Sequence, residues 1–416
     1  MHPPGADVVV VRHGEVGVKS DQVRMKMEFQ LQENLNALLA DRDLPGDTGC
    51  ERNRLYIRTE ESAVEAATAA AVEAPGVVSA SPAVSVEPTM DGITDALAAA
   101  ARACHDGGPF AVRARRAGNA DTHDFSSRDL ESEGGQAIWD AIAETGGTPE
   151  VDLDDPAFTA FVDCRPDEAF VFVEKRVGPG GLPLGTQKPL VALVSGGIDS
   201  PVAAWQAMTR GAPIVPVYVD LGAYGGVDHR ARAEATVGAL ARRAPNFDLR
   251  LRVVDGGAAV EQLVEATDDT RMLSLRRFMY RAAETVAREH DAVGIVSGEA
   301  IGQKSSQTTA NLAATDGVTD LPIHRPLLTM DKTDIIEAAR DLGTYDDATV
   351  PAGCNRVAPS RPETAGTPES VASAEPEGFL AMVESAARDP AVVDVVSQST
   401  NSSSTTQSGE PSAADR

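Results

Sequence analysis

The 416-residue chain is poor in cysteine, lysine and aromatic side chains, and each shortage excludes something. Its four cysteines, Cys50, Cys104, Cys164 and Cys354, are too scattered for a disulfide framework, and no CxxC pair offers zinc or an iron–sulfur cluster two ligands. Cysteine chemistry therefore rests on single thiols, and no metal-ligating residues are expected. No run approaches the ~18 apolar residues of a membrane span, and the opening MHPPGADVVVVRHGEV lacks the apolar core of a signal peptide. A cytoplasmic protein without a membrane partner is the expectation.

Positive charge is also scarce. Lys and Arg number 37 against 63 Asp and Glu, a net charge of −26, and only six of the 37 are Lys. Taken alone, that balance argues against nucleic acid, because the phosphate backbone rewards Lys and Arg. Arg in place of Lys, few aromatics and small apolar residues fit another cause, a halophilic surface suited to molar salt. There the Debye length is only ~3 Å, so partner choice falls to local contacts and net charge says little about ligands.

At ~150 residues per domain, two or three domains are expected. Residues 1–65 read strand, helix, strand, with Met25, Phe29, Leu35 and Leu38 near one helix face. A second α+β unit follows over 66–176, and GPGGLP marks a linker at 177–189. From 190 the runs LVALV, IVPVYV, LRLRVV and AVGIVS are continuously apolar and separated by helical stretches, the pattern of a doubly wound parallel sheet. This α/β domain is assigned 190–396, with a patch around Phe379–Arg388 docking on it, and the polar stretch 397–416 reads as a disordered tail.

Ligands of such sheets bind beyond the carboxyl ends of the strands. The first of these strands runs into Ser195-Gly196-Gly197-Ile198-Asp199-Ser200-Pro201. Two glycines let successive N–H groups converge into an anion nest, with Ser200 expected as helix N-cap and Pro201 as the first helical residue. The loop is neither a Walker A nor a dinucleotide GxGxxG. Basic residues gather in FAVRARRAG, where strand alternation sends Arg113 and Arg115 to one side while Val112 and Ala114 face the core, with Arg116, His123 and Ser126 nearby.

At LVSGGIDSPVA the chain resembles the PP-loop ATP pyrophosphatases. The resemblance extends through VVVRHGEVGVKS, FAVRARRAG, VDLDDPAFTAFVD, GPGGLPLGTQ, RRFMYRAAE, SGEAIGQKSSQT and LPIHRPLLTMDKTDII, in the order seen in 4-thiouridine synthetases of the ThiI family, over roughly residues 7–360. It implies a PP-loop domain of adenine nucleotide alpha hydrolase type, preceded by ferredoxin-like and THUMP α+β domains, and without a rhodanese domain. It also implies ATP-dependent sulfur transfer to uridine 8 of tRNA, giving 4-thiouridine. Carried over on that basis are Leu193, Val194, Tyr218 and Val219 for adenine, Ser195, Gly196, Gly197, Asp199 and Ser200 for phosphate with Mg²⁺, and Arg276, Gly298 and Gln307 around the nucleotide. Whether Arg276 or Arg277 reaches it depends on helix phase, and Lys304 lies in the same loop. Asp199 and Cys354 are the catalytic candidates, and Arg113, Arg115 and Arg116 the RNA-binding ones.

The family's common form has two adjacent cysteines where this chain has Gly353-Cys354-Asn355. Sulfur then arrives from a persulfide carrier such as a cysteine desulfurase, or as free sulfide. Cys50, Cys104 and Cys164 read as packing residues. Two other functions stay open, sulfur transfer for thiamine thiazole synthesis and tRNA binding without turnover; a homodimer stays open as well.

Overall fold

The computed structural model describes residues 1–395 except 52, 53, 119, 226 and 347–356, and the chain divides into two compact units, Met1–Leu184 and Gly185–Arg416. Cys354 and the stretch expected as a disordered tail lie outside the described residues.

The first unit runs β1 (Val8–His13), α1 (Asp21–Asp41), β2 (Asp47–Glu51), β3 (Arg54–Arg58), α2 (Glu61–Ala71), β4 (Val77–Val86), α3 (Met90–Cys104), β5 (Phe110–Arg116), α4 (Ser127–Glu144), β6 (Phe158–Cys164), β7 (Ala169–Phe172) and β8 (Arg176–Val177). These strands make one sheet, ordered β2-β3-β1-β4-β7-β6-β5, with β8 also on β4. β4 belongs to both halves, pairing with β1 through its first part and β7 through its last. The break expected after residue 65 falls inside α2, whose Val64, Ala67, Ala70 and Ala71 close a core over Val9, Val11, Leu55 and Ile57. α1 adds Leu31, Leu35, Leu38 and Leu39 to that core, but Met25 and Phe29 are 65% and 64% exposed. At 3.6 residues per turn they stand roughly 80° and 120° around the helix from Leu35, beyond the buried stripe. A second core forms where Ile93, Leu97, Leu130 and Ile138 of α3 and α4 cover Phe110, Val112, Phe158 and Val162.

The helix-free face of this sheet is curled. Tyr56 of β3 stacks on Phe170 of β7 at 4.8 Å between ring centroids, although β1 and β4 lie between their strands. A flat sheet would hold those strands ~14 Å apart. Curling turns the face into a trough, with Val8, Val10, Ala83 and Phe172 buried along its floor.

The second unit runs β9 (Leu190–Leu193), α5 (Asp199–Thr209), β10 (Ile214–Asp220), α6 (Val227–Ala241), β11 (Leu251–Asp255), α7 (Gly257–Ala266), α8 (Arg271–Glu289), β12 (Ile295–Val296), α9 (Thr309–Asp316), β13 (Ile323–His324), α10 (Lys332–Leu342), α11 (Pro368–Ala374), α12 (Phe379–Ala387) and β14 (Ala391–Val393). The sheet order is β13-β12-β9-β10-β11-β14, parallel throughout except β14, which is antiparallel on β11. The chain winds outward from β9 through β10 to β11, then returns to the other side of β9 as β12. That reversal opens a crevice at the carboxyl ends of β9, β10 and β12. Beneath it Val191, Val217, Val254 and Ile295 pack with Phe278 and Val286 of α8, and α12 docks into the same core through Phe379, Val383 and Ala387.

Candidate nucleotide site and basic trough

The loop from β9 to α5 is closed by its own serines. The Ser195 N–H donates to Ser200 Oγ at 2.9 Å, the two hydroxyls lie 3.2 Å apart, and the Gly197 N–H donates to Ser195 Oγ at 3.3 Å. α5 begins at Asp199 behind Ile198, so Ser200 sits in the first turn and is not the N-cap expected from the sequence. Its hydroxyl is spent on the loop, and no side chain caps the helix. The first N–H groups of α5 therefore face the loop, the arrangement that suits an anion. Gly298, just past β12, approaches this turn so closely that a Cβ there would lie 2.9 Å from the Asp199 carbonyl carbon and the Ser200 nitrogen.

Around the loop the crevice is lined by Leu193, Val194, Tyr218 and Val219 at two strand ends, by Ser297 and Gly298 at a third, and by His229, Arg276, Tyr280, Lys304 and Gln307. Gln307 is 7% exposed, and its Oε1 has no hydrogen-bond partner among the described residues. A buried carbonyl left open in this way carries a desolvation cost that a donor on a bound base would relieve.

Charged groups are held in fixed pairs. The Asp199 carboxylate accepts from Lys332 Nζ at 2.7 Å and from Gln303 Nε2 at 3.4 Å. On α8, Arg277 turns away and pairs with Glu375 at 2.6 Å. Arg276 takes the crevice side, 2.6 Å from Glu299 and donating to the Ser306 carbonyl at 2.8 Å. Burial acts to raise the Glu299 pKa, but the Arg276 and Arg325 guanidiniums outweigh it and hold the carboxyl below its ordinary value. Burial, with Glu299 beside it, pushes the Tyr280 phenol up.

In the first unit, one end of the trough is basic. Arg113 and Arg115 of β5 are exposed there, with Arg12 of β1, Arg54 of β3, and Lys175 after β7. Asp163 is the one carboxylate among the described residues lining this end, and Arg54 pairs with it at 3.1 Å. The Arg12 guanidinium lies 4.6 Å over the Phe172 ring and the Lys175 ammonium 3.8 Å over Phe161. Burial, then the charge of Arg54, lowers the Arg12 pKa to about 10. Arg54 and Lys175 are lowered too, chiefly by burial. Five cations around one acid repel one another, and an anion entering the trough would relieve that repulsion. Arg116 alternates to the other face, its N–H donating to Ser127 Oγ at 3.0 Å, and Ser126 caps α4 with Asp129 in a capping box.

Three domain families match successive stretches of the chain: the ThiI ferredoxin-like domain over 8–81, the THUMP domain over 87–174, and the thiamine biosynthesis protein ThiI over 185–379. A probable tRNA sulfurtransferase of Halobacterium salinarum is 58% identical over 395 residues, covering 95% of this chain and 99% of that protein. The chain belongs to the ThiI family of tRNA sulfurtransferases. Its counterpart in Methanosarcina acetivorans is 39% identical over 367 residues, 86% of either chain. A crystal structure of a 4-thiouridine synthetase–RNA complex with bound ATP superposes with a TM-score of 0.81 at 28% identity, covering 94% of this chain and all of that one. The structure of PH1313 from Pyrococcus horikoshii, at 23% identity and a TM-score of 0.62, shares the fold.

Within this ThiI-family chain the structure brings Leu193, Val194, Ser195, Gly196, Asp199, Ser200, Tyr218, Val219, Arg276, Gly298 and Gln307 around one crevice, with Gly197 in the same loop. Arg113 and Arg115 share the trough and Arg116 does not. Cys104 and Cys164 are buried, as expected of packing residues, but Cys50, on the edge strand β2, is exposed. Lys332, Glu299 and His229 escaped the sequence reading of the crevice, as did Arg12, Arg54 and Lys175 in the trough. Lys332 stands in the DKTDII stretch that carries the family resemblance, and that was the available signal.

Proposed function

We propose that the chain is a tRNA uracil 4-sulfurtransferase that uses ATP to adenylate the C4 oxygen of uridine 8 and replaces that oxygen with sulfur. The observation that carries this reading is the crevice itself. An uncapped helix N-terminus, the close approach at Gly298 and the open carbonyl of Gln307 converge at the sheet's point of reversal, and together they fit a nucleotide. The relatives named as tRNA sulfurtransferases and the synthetase with bound ATP and RNA support it.

Bound ATP supplies the phosphorus that converts a poor leaving oxygen into AMP. The backbone N–H groups of Gly196 and of residues 198–200, which the loop's own serines leave open, cradle its phosphates, and the strand ends at Leu193, Val194, Tyr218 and Val219 receive adenine. Gln307 donates and accepts at the base, while Arg276 and Lys304 balance phosphate charge. Asp199 Oδ1 holds Lys332 beside the loop, and its other oxygen, Oδ2, would meet the Mg²⁺ that accompanies pyrophosphate, where the ion would neutralise the leaving charge. Arg113 and Arg115, joined by Arg12, Arg54 and Lys175, take RNA phosphates, and Arg116, on the other face of β5, is left out of this set. Cys354 is assigned the persulfide: charged by an external carrier, its outer sulfur displaces AMP from C4, and two external thiols, leaving as their disulfide, then release the thione and return the Cys354 thiol; free sulfide, already at the oxidation level of the thione, is the competing source. The ferredoxin-like, THUMP and PP-loop parts follow one another along the chain, and whether the protein pairs as a homodimer is for sedimentation to decide.

Mass spectrometry of tRNA from a deletion strain tests the activity: 4-thiouridine should disappear, and unchanged levels would overturn the reading. Release of AMP and pyrophosphate that depends on tRNA excludes a binding protein without turnover. Cys354→Ser should keep activity with free sulfide and lose it with a persulfide donor; full activity with both removes the thiol from the mechanism. The match of residues 185–379 to the thiamine biosynthesis protein ThiI family supports a second role in thiazole formation, which thiamine auxotrophy of the same strain would reveal.

A further inference from the structure

Glu299 directly follows Gly298 and is 4% exposed. One of its oxygens faces Arg276 Nη1 at 2.6 Å; the other accepts from Arg325 Nε at 2.7 Å and from the Tyr280 hydroxyl. Arg325 is held from behind by both oxygens of Asp316, one of them at 3.2 Å, and also reaches the Tyr280 hydroxyl at 3.2 Å. Residues from α8 and the segments after β12 and β13 thus meet on one carboxylate, with Asp316 of α9 behind Arg325.

Two guanidiniums and two carboxylates make the set neutral, and one member, Arg276, borders the crevice. A buried ionic set of this kind is poor evidence of stability, since well-packed apolar side chains commonly serve as well or better. What an apolar replacement could not do is fix a guanidinium at the edge of an open site. Arg276 is long and rotamer-rich, and free in solvent it would lose conformational freedom on meeting a ligand. Paired in charge with Glu299 through Nη1, which also donates to the Ser306 carbonyl, and with Nη2 donating to Ser306 Oγ at 3.3 Å, the guanidinium is already ordered.

We infer that Glu299 is a positioning residue of the nucleotide site: anchored by Arg325 and Tyr280, it holds the Arg276 guanidinium on the crevice wall in the pose that meets phosphate. The inference rests on the crevice being a nucleotide site with Arg276 on the phosphates. It gives Glu299 a role that acts wholly through Arg276. The effects of altering the two residues should therefore overlap.

The test is a double-mutant cycle in the full-length enzyme, with the KM for ATP, the kcat for AMP release, tRNA affinity and melting temperature measured for each variant. Arg276→Ala and Glu299→Gln should each raise the KM for ATP by about tenfold, with tRNA affinity unchanged. The double variant should be no worse than about twofold beyond either single one. Tyr280→Phe keeps every charge but loosens the anchor, and should raise the KM for ATP by about two- to threefold. If Arg276→Ala leaves the KM for ATP unchanged, the assignment of Arg276 to the nucleotide fails. If Arg276→Ala weakens ATP but Glu299→Gln does not, or the two losses multiply in the double variant, only the positioning role fails. Should Glu299→Gln not fold, Tyr280→Phe decides, and a KM for ATP equal to that of the parent enzyme in that variant overturns the inference.

Discussion

A thiol reacts as its surroundings allow. Cys164 is fully buried at the end of β6, and burial pushes its pKa up to about 11; burial raises Cys104 as well. Cys50, on an edge strand, is exposed. Iodoacetamide at neutral pH should therefore label Cys50 and spare Cys104 and Cys164 in the native protein, and peptide mapping that found Cys164 modified would contradict the packing described. The Lys332–Asp199 pair is partly exposed and adds little to stability. Its worth is in placing charge: Lys332→Ala should lower AMP release by about a hundredfold with almost no change in melting temperature. Glu299 offers a pH test. A carboxyl whose folded pKa lies below its ordinary 4.5 contributes stability above that pH and loses it as acid titrates the folded form. The parent protein should thus lose more stability than Glu299→Gln between pH 5 and 3, as read by denaturant melts.

At the scale of elements, the sequence was most legible where one residue type carries one pattern. The uninterrupted apolar strands announced a doubly wound sheet, and SGGIDS between a strand and a helix announced the loop that lines the crevice. Strand alternation placed Arg113 and Arg115 correctly and, continued one more residue, would have turned Arg116 away. Helix phase was harder: α8 brings Arg276 to the crevice and Arg277 to Glu375, a choice made by packing against α12. Lys332 meets Asp199 across 133 residues of chain, and Arg12 and Arg54 are isolated arginines that converge through the curl of the sheet. No local pattern encodes such meetings. Because α12 seats α8 through Phe379, whose ring lies 5.9 Å from Phe278, Phe379→Ala should cost about 3 kcal/mol by denaturant titration. The same variant should raise the KM for ATP, as Arg276 rides on the loosened helix.

For the molecule as a whole, the net charge of −26 and the basic trough are reconciled by salt. The excess of Asp and Glu and the scarcity of Lys fit a surface suited to molar salt. Long-range repulsion of tRNA vanishes over a few ångströms at molar ionic strength, while partly buried cations at close range are screened far less. Filter binding at about 2 M KCl should thus find tRNA affinity retained, and a steep loss there would contradict the trough as its site. Arg12→Ala with Arg54→Ala should weaken tRNA binding and leave the KM for ATP alone. The last strand carries one further consequence. β14 lies antiparallel on β11, Ala391 opposite Val253 and Val393 opposite Leu251, so the backbone there heads toward the amino ends of the parallel strands. It covers the edge of β11 and carries the backbone at Val393 toward the end of the sheet opposite the crevice mouth, so a fluorophore attached at Val392, which is 52% exposed, would stand clear of the bound nucleotide.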